Sequence, residues 1–166
     1  EDPIVLDPRN KKLGGRLIIN LEKLYLSIKK LDLKSSEIKE YYDLSFKLGI
    51  SQLNTNKLQN KLFGIECNFE ELNGLDFKKG CYVGQENTAR IKLKNKLSKK
   101  LLPIEILSGS IKIDDDILEN KKMLGKILID EKYPFGLLKF KDENFNFDKK
   151  FTCGKALIKV LKPDWF

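Results

Sequence analysis

The stretch Lys79-Gly80-Cys81-Tyr82-Val83-Gly84-Gln85-Glu86-Asn87-Thr88-Ala89-Arg90 carries the densest polar chemistry of the 166-residue chain. Gly80 and Gly84 stand on either side of Cys81 and Tyr82, where they allow positive φ or a close backbone approach to a ligand. From Gln85 onward the sequence suits a helix, which places Gly84 near its N-terminus. Exposed N–H groups and the helix dipole favour an anion there. A thiol just upstream, beside Lys79, sits where a thiolate is stabilised. Glu86 falls in the first turn, and Arg90, four residues on, can pair with it on one helix face. The alternative is a tight structural turn with Cys81 as a small buried side chain. That reading has to place Lys, Tyr, Gln and Glu in one turn, and residues so polar are poor core material.

Outward from this stretch the chain divides. Upstream, Ile4–Leu6 and Arg16–Ile19 read as short strands, broken by Asp7-Pro8 and Gly14-Gly15. Leu21, Leu24, Tyr25, Ile28 and Leu31 recur at helical spacing over 21–31. A second helix follows Ser35-Ser36, a candidate N-cap, and closes at Gly49. Residues 51–62 are Asn- and Gln-rich and read as a loop, and 69–77 as one helical turn ending at Gly74, then an extended piece. Downstream, Leu101–Leu107, Ile111–Ile113, Lys126–Ile129, Phe135–Phe140 and Lys155–Leu161 are short β-like runs separated by Gly, Asp and Asn. That spacing predicts a small antiparallel barrel or sandwich. A boundary falls near 95–100, inside the lysine-rich stretch Lys92–Lys100.

Composition narrows the chemistry. The chain has no His, which removes Ser-His-Asp and Cys-His catalysis and His-ligated zinc. Hydrophobic residues at 41% and charged residues at 34% describe a globular chain. No apolar run approaches the ~20 residues of a membrane helix. Cys67, Cys81 and Cys153 show neither a disulfide framework nor a Cys-x-x-Cys pair. Fe–S clusters usually take four thiolates, so no stably bound cluster and no metal site is expected. The net charge is +8, and all basic residues but Arg9, Arg16 and Arg90 are lysines. Abundant Lys, Asn and Ile read as a compositional bias, so charge alone is weak evidence for nucleic acid. Against that background the three arginines stand out as places where a forked guanidinium is required. Residue 1 is Glu and the only Met is Met123, so the sequence reads as opening inside a domain.

Lys79-Gly80-Cys81-Tyr82-Val83-Gly84-Gln85-Glu86 resembles the K-G-C-Y-x-G-Q-E signature of the YgfZ/GcvT-like folate-binding proteins, relatives of the glycine-cleavage aminomethyltransferase. The flanks Leu72-Asn73-Gly74-Leu75-Asp76-Phe77 and Thr88-Ala89-Arg90 agree with it. Asp7-Pro8-Arg9 and Leu13-Gly14-Gly15-Arg16 resemble the family's mid-chain segment, with Gly15 departing where an aromatic residue is common. The likeness is strong in 1–20 and 66–95 and weak after 100. Members of the family carry an N-terminal half before the D-P-R segment, which this sequence lacks.

The resemblance implies an α+β fold. A partial ferredoxin-like GcvT-type folate-binding domain (1–96) would be followed by a small antiparallel β-barrel (97–166). It implies a folate-dependent factor for maturation or repair of iron–sulfur proteins, with tetrahydrofolate as cofactor and iron–sulfur client or assembly proteins as partners. Cys81 would be the catalytic residue, and Lys79, Tyr82, Gln85, Glu86 and Arg90 would bind the cofactor. The setting would be the cytoplasm of a bacterium or the mitochondrial matrix of a eukaryote. Two other functions stand beside this one. A true aminomethyltransferase binds the same cofactor but typically lacks the Cys of the motif. A tRNA or other nucleic-acid-binding module ranks last, because the aromatics sit at apolar-pattern positions and form no stacking platform.

Overall fold

The computed structural model describes residues 4–80, 83, 85–93, 99–140 and 145–166. It is a mixed α and β structure dominated by a closed six-stranded antiparallel barrel. The barrel strands are β3 (Lys99–Ser108), β4 (Asp116–Glu119), β5 (Lys122–Ile129), β6 (Phe135–Lys139), β7 (Lys150–Cys153) and β8 (Ala156–Val160), hydrogen-bonded in the order β3-β6-β5-β4-β7-β8. Upstream lie a hairpin of β1 (Ile4–Leu6) and β2 (Gly15–Leu17), and the helices α1 (Leu24–Lys30), α2 (Ile38–Lys47) and α3 (Gln85–Leu93).

Period-two alternation sorts the barrel side chains into two layers. Leu102, Ile104, Ile117, Ile127, Leu138, Phe151, Ile158 and Val160 point inward and are almost wholly buried. Leu101, Leu128 and Phe135 point outward and are buried too, because Phe46 of α2 and Leu58 and Leu62 of the following segment cover them. Closure needs one tight approach: a Cβ on Gly125 of β5 would meet the Leu137 carbonyl oxygen at 2.2 Å. Phe46 crosses Phe135 edge-on at 5.6 Å, and the Tyr133 hydroxyl donates to Asp43 at 2.8 Å. Lys57 adds ion pairs to Asp130 at 2.9 Å and Glu131 at 2.6 Å. These contacts seat α2 and the 3₁₀ turn Thr55–Leu58 on the β5–β6 corner.

A third cluster of Leu48, Ile50 and Leu72 gathers Leu13 and Trp165 around it. Trp165 donates its indole N–H to the Leu48 carbonyl at 2.8 Å. The C-terminal tail is thereby tied to the end of α2, and Trp165 also packs against the barrel core.

Some elements differ from the sequence reading. Ile111–Ile113 is not a strand. Ile113 N–H donates to the Asp130 carboxylate, and Asp114 has φ 66°. The strand forms instead at Asp116–Glu119, and Lys150–Cys153 supplies another that the sequence did not reveal. The helix over 21–31 is a 3₁₀ turn at Leu21–Lys23 followed by α1. Neither Ser35 nor Ser36 caps α2. Glu37 occupies the N-cap without a side-chain bond, and Ser36 bonds Glu40 instead. Residues 64–73 form successive turns in place of one helical turn.

Candidate functional site

Three segments distant in sequence meet upstream of the barrel. The first is the turn Asp7-Pro8-Arg9. The Asp7 carboxylate is buried and accepts from Arg9 N at 3.0 Å, Arg9 Nε at 3.0 Å and Nη2 at 2.8 Å, and Arg16 Nε at 2.7 Å. The Arg9 side chain above all, then its backbone N–H and Arg16, hold the Asp7 carboxyl well below the usual carboxylate range, against the opposing effect of burial. Arg9 also donates to the Tyr41 hydroxyl of α2 at 2.9 Å. Arg9 and Arg16 are thus forked contacts of the kind the lysine-dominated composition singles out.

The second segment is 70–78. Asn73, at φ 56°, donates through Nδ2 to the Pro8 carbonyl at 2.9 Å, joining this segment to the first. Asp76 accepts from Lys78 N–H at 2.8 Å and closes the turn that leads into the glycine-cysteine stretch. The third segment is α3, which starts at Gln85 with Glu86 in its first turn. Lys92 of α3 pairs with Glu70 and lies 5.5 Å from the centre of the Phe77 ring. Between 70–78 and α3 runs an open groove of about 800 Å³, lined by Asn73, Asp76, Phe77, Lys78, Gln85 and Lys92 among others. Its lining joins apolar Leu75, Phe77 and Ala89 with charged Glu70, Asp76, Lys78 and Lys92. That combination suits a flat aromatic ligand bearing anionic groups.

Of the residues singled out in the sequence, Gln85 lines the groove. Lys79 and Glu86 are exposed beside it. Arg90 is also exposed; it donates to Asn87 Oδ1 at 3.3 Å and makes no ion pair with Glu86 among the described residues. Cys81 and Tyr82 lie outside the described residues, as does Gly84, while Val83 between them is fully exposed. Phe77, Lys78 and Lys92 are groove residues that sequence reasoning did not name as ligands. Asp76 and Phe77 stood only in the flank of the motif. The other two cysteines are poor nucleophiles. Burial, with Glu66 adding to it, pushes the Cys67 thiol up to about 11. Burial, with Asp115 and Asp116 adding to it, pushes Cys153 up to about 11.

A mixed α and β molecule with a closed antiparallel barrel and a ligand-sized groove between 70–78 and α3 is the class these features define. No family model matches the chain. Curated relatives do. The chain is 32% identical over 126 residues to "Iron-sulfur cluster assembly factor IBA57 homolog, mitochondrial" of Dictyostelium discoideum, covering 72% of this chain and 30% of that protein. It is 34% identical over 99 residues to the Neurospora crassa protein of the same name, covering 60% of this chain and 22% of that one. It is 27% identical over 103 residues to the mouse "Iron-sulfur cluster assembly factor IBA57, mitochondrial", covering 62% and 28%. The matched region therefore spans less than a third of the length of each of these relatives.

Proposed function

We propose that the complete protein is a folate-dependent factor for maturation or repair of iron–sulfur proteins, of the YgfZ/GcvT-like folate-binding type. One observation supports this most. Two segments that resemble the family, 72–77 and 79–90, line one groove through Asn73, Leu75, Asp76, Phe77, Gln85 and Ala89, and the third, 7–9, is joined to it by the Asn73–Pro8 hydrogen bond, in a chain similar to proteins named as iron–sulfur cluster assembly factors. In this reading 1–96 is the C-terminal part of a folate-binding domain and 97–166 its barrel domain. The relatives' names favour a mitochondrial setting, and the matrix is the compartment proposed.

The groove fits tetrahydrofolate by its chemistry. The Phe77 ring is 37% exposed and offers a face for the cofactor's aromatic portion. Lys78 in the groove and Lys79 beside it bring positive charge for its glutamate carboxylates, while Lys92 is held by Glu70. Gln85, Glu86, Arg90 and Tyr82 complete the proposed binding set, and Cys81 is the proposed reactive residue. Bound tetrahydrofolate would supply a carrier for one-carbon units.

The test is calorimetric titration of the full-length protein with tetrahydrofolate. Phe77→Ala should weaken binding about tenfold, the loss of roughly 1.4 kcal/mol, with the thermal midpoint unchanged. Absence of binding, or binding indifferent to Phe77, contradicts the folate reading. Activity in a glycine-cleavage assay with a lipoyl carrier protein would instead favour the aminomethyltransferase. Steeply salt-dependent RNA binding would favour the nucleic-acid module.

A further inference from the structure

The groove between 70–78 and α3 is spanned by its own side chains. Glu70 lines one wall, and Lys92, in the last turn of α3, lines the other. The two form an ion pair, so the contact runs from wall to wall. The Lys92 ammonium also stands 5.5 Å from the centre of the Phe77 ring, within cation–π range. Phe77 lines the same groove, so the ring face beneath the ammonium is the one turned toward a ligand. A stacked aromatic ring needs that space, with its centre about 4.5–7 Å from that of Phe77. The ammonium and a ligand ring cannot share it.

Charge adds a second constraint. The lining carries two lysines, Lys78 and Lys92, and two carboxylates, Glu70 and Asp76. An entering anion therefore meets no excess of positive charge until Glu70 gives up Lys92. The next carboxylate in sequence, Glu71, is engaged elsewhere, with Lys100 of β3. The pair is soft enough for exchange. The Glu70 and Lys92 side chains are 29% and 47% exposed, and exposed ion pairs are worth at most about fivefold in an equilibrium constant.

We infer that Glu70 stands in for the anionic group of the ligand, and that Glu70 and Lys92 together decide what the groove admits. Glu70 holds the ammonium over Phe77 and keeps the ring covered. A ligand enters by lifting Lys92 off both. A flat aromatic molecule with an anionic group gives Lys92 a new partner, whereas a neutral one leaves the ammonium unpaired. The groove thus selects aromatic anions over neutral aromatics with the same ring. The inference rests on the folate reading of this groove and adds to it the pair that governs entry and charge selection.

The test titrates full-length wild type, Glu70→Gln, Lys92→Ala and the double variant with tetrahydrofolate and with the neutral 6-methyltetrahydropterin. NMR reads both, down to millimolar affinity. Glu70→Gln should tighten both probes about two- to fivefold, because neither then has to break the pair. Lys92→Ala should tighten the neutral probe by at least that factor and cut the preference for tetrahydrofolate over it about two- to fivefold. Adding Glu70→Gln to Lys92→Ala should leave the neutral probe unchanged. Tightening of tetrahydrofolate alone by Glu70→Gln would be a general charge effect and overturns the inference. Weakening of both probes would make the pair a brace that shapes the groove, and overturns it too, as does no change. Amide hydrogen exchange at Ala89, Arg90 and Ile91 needs no ligand. Each single variant should speed it about two- to fivefold, and the double variant no further. If neither probe binds any variant, the folate reading fails and this exchange decides the inference. Non-additive rates then support it, and additive or unchanged rates overturn it.

Discussion

Replacing Asp7 by Asn removes a buried charge while keeping the side chain's size. Two guanidiniums then lose their common acceptor, and both are partly in water, with side chains 26% and 47% exposed. Screening therefore moderates the loss, and we expect about 1–3 kcal/mol at neutral pH. The pH dependence has a definite sign. The folded Asp7 carboxyl titrates below its unfolded value of about 3.9, so the unfolded chain binds more protons in acid. The stabilisation is fully present above that pH and is lost as pH falls through the folded value. Thermal midpoints of wild type and Asp7→Asn should differ most at pH 7, and the gap should begin to narrow only below about pH 4 and shrink further as the pH falls; a gap that widens in acid contradicts this assignment. Arg9→Lys and Arg16→Lys should each destabilise by roughly 1–3 kcal/mol through loss of the fork, whereas Arg90→Lys should be nearly silent. The chain's preference for lysine made Arg9 and Arg16 legible. Arg90 makes only the 3.3 Å bond to Asn87 among the described residues, and nothing in Asp7-Pro8 distinguishes a buried carboxylate from an ordinary turn aspartate. For the cysteines we expect Cys81 to alkylate fastest. Cys67 and Cys153 should accelerate only as pH approaches about 11. Site-resolved mass spectrometry over a pH series reads this directly, and a Cys81 no faster than the other two removes its proposed reactive role.

Among the elements, the junction between α2 and the C-terminal tail is the most exposed to single changes. Gly49 has φ 70°, and a Cβ there would meet Pro163 Cγ at 2.5 Å and Trp165 Cζ2 at 2.9 Å. Gly49→Ala therefore combines a strained backbone with displacement of the indole, and should cost about 2 kcal/mol or more in chemical denaturation. Trp165→Phe keeps the apolar packing but leaves the Leu48 carbonyl without its donor, for about 1 kcal/mol. Removing 163–166 should cost more than either; unchanged stability would mean that the tail is not anchored. Gly49 was legible as a helix stop, but its second task, giving room to Trp165, depends on a contact across more than a hundred residues. The strands show the same limit. Ile111-Lys-Ile113 alternates like a strand, yet the carboxylates of Asp115 and Asp130 capture the Lys112 and Ile113 N–H groups, and the strand starts only at Asp116. In Lys150–Cys153, the inward Phe151 and Cys153 alternate with Lys150 and Thr152, but four residues are too few to assert a period.

At the scale of the whole molecule, the barrel was readable because its core is local in pattern: short apolar runs, regularly spaced, with turn residues between them. The upstream region was harder to read. Helical spacing over 21–31 correctly marked an apolar face, but that face finds no core among the described residues, and no sequence pattern states where its partner lies. The groove shows a similar limit. The glycine-cysteine motif pointed to the region, while Phe77 and Lys92 join it only through the fold. The proposal that ties these levels together is that the complete protein supports iron–sulfur enzymes through Cys81 of the motif. The direct measurement is the activity of iron–sulfur enzymes, relative to enzymes without clusters, in cells depleted of the protein and resupplied with full-length wild type or Cys81→Ala. Wild type should restore the iron–sulfur enzymes selectively, and Cys81→Ala, present at equal abundance, should not. Unimpaired iron–sulfur enzymes after depletion, or full rescue by Cys81→Ala, would contradict it.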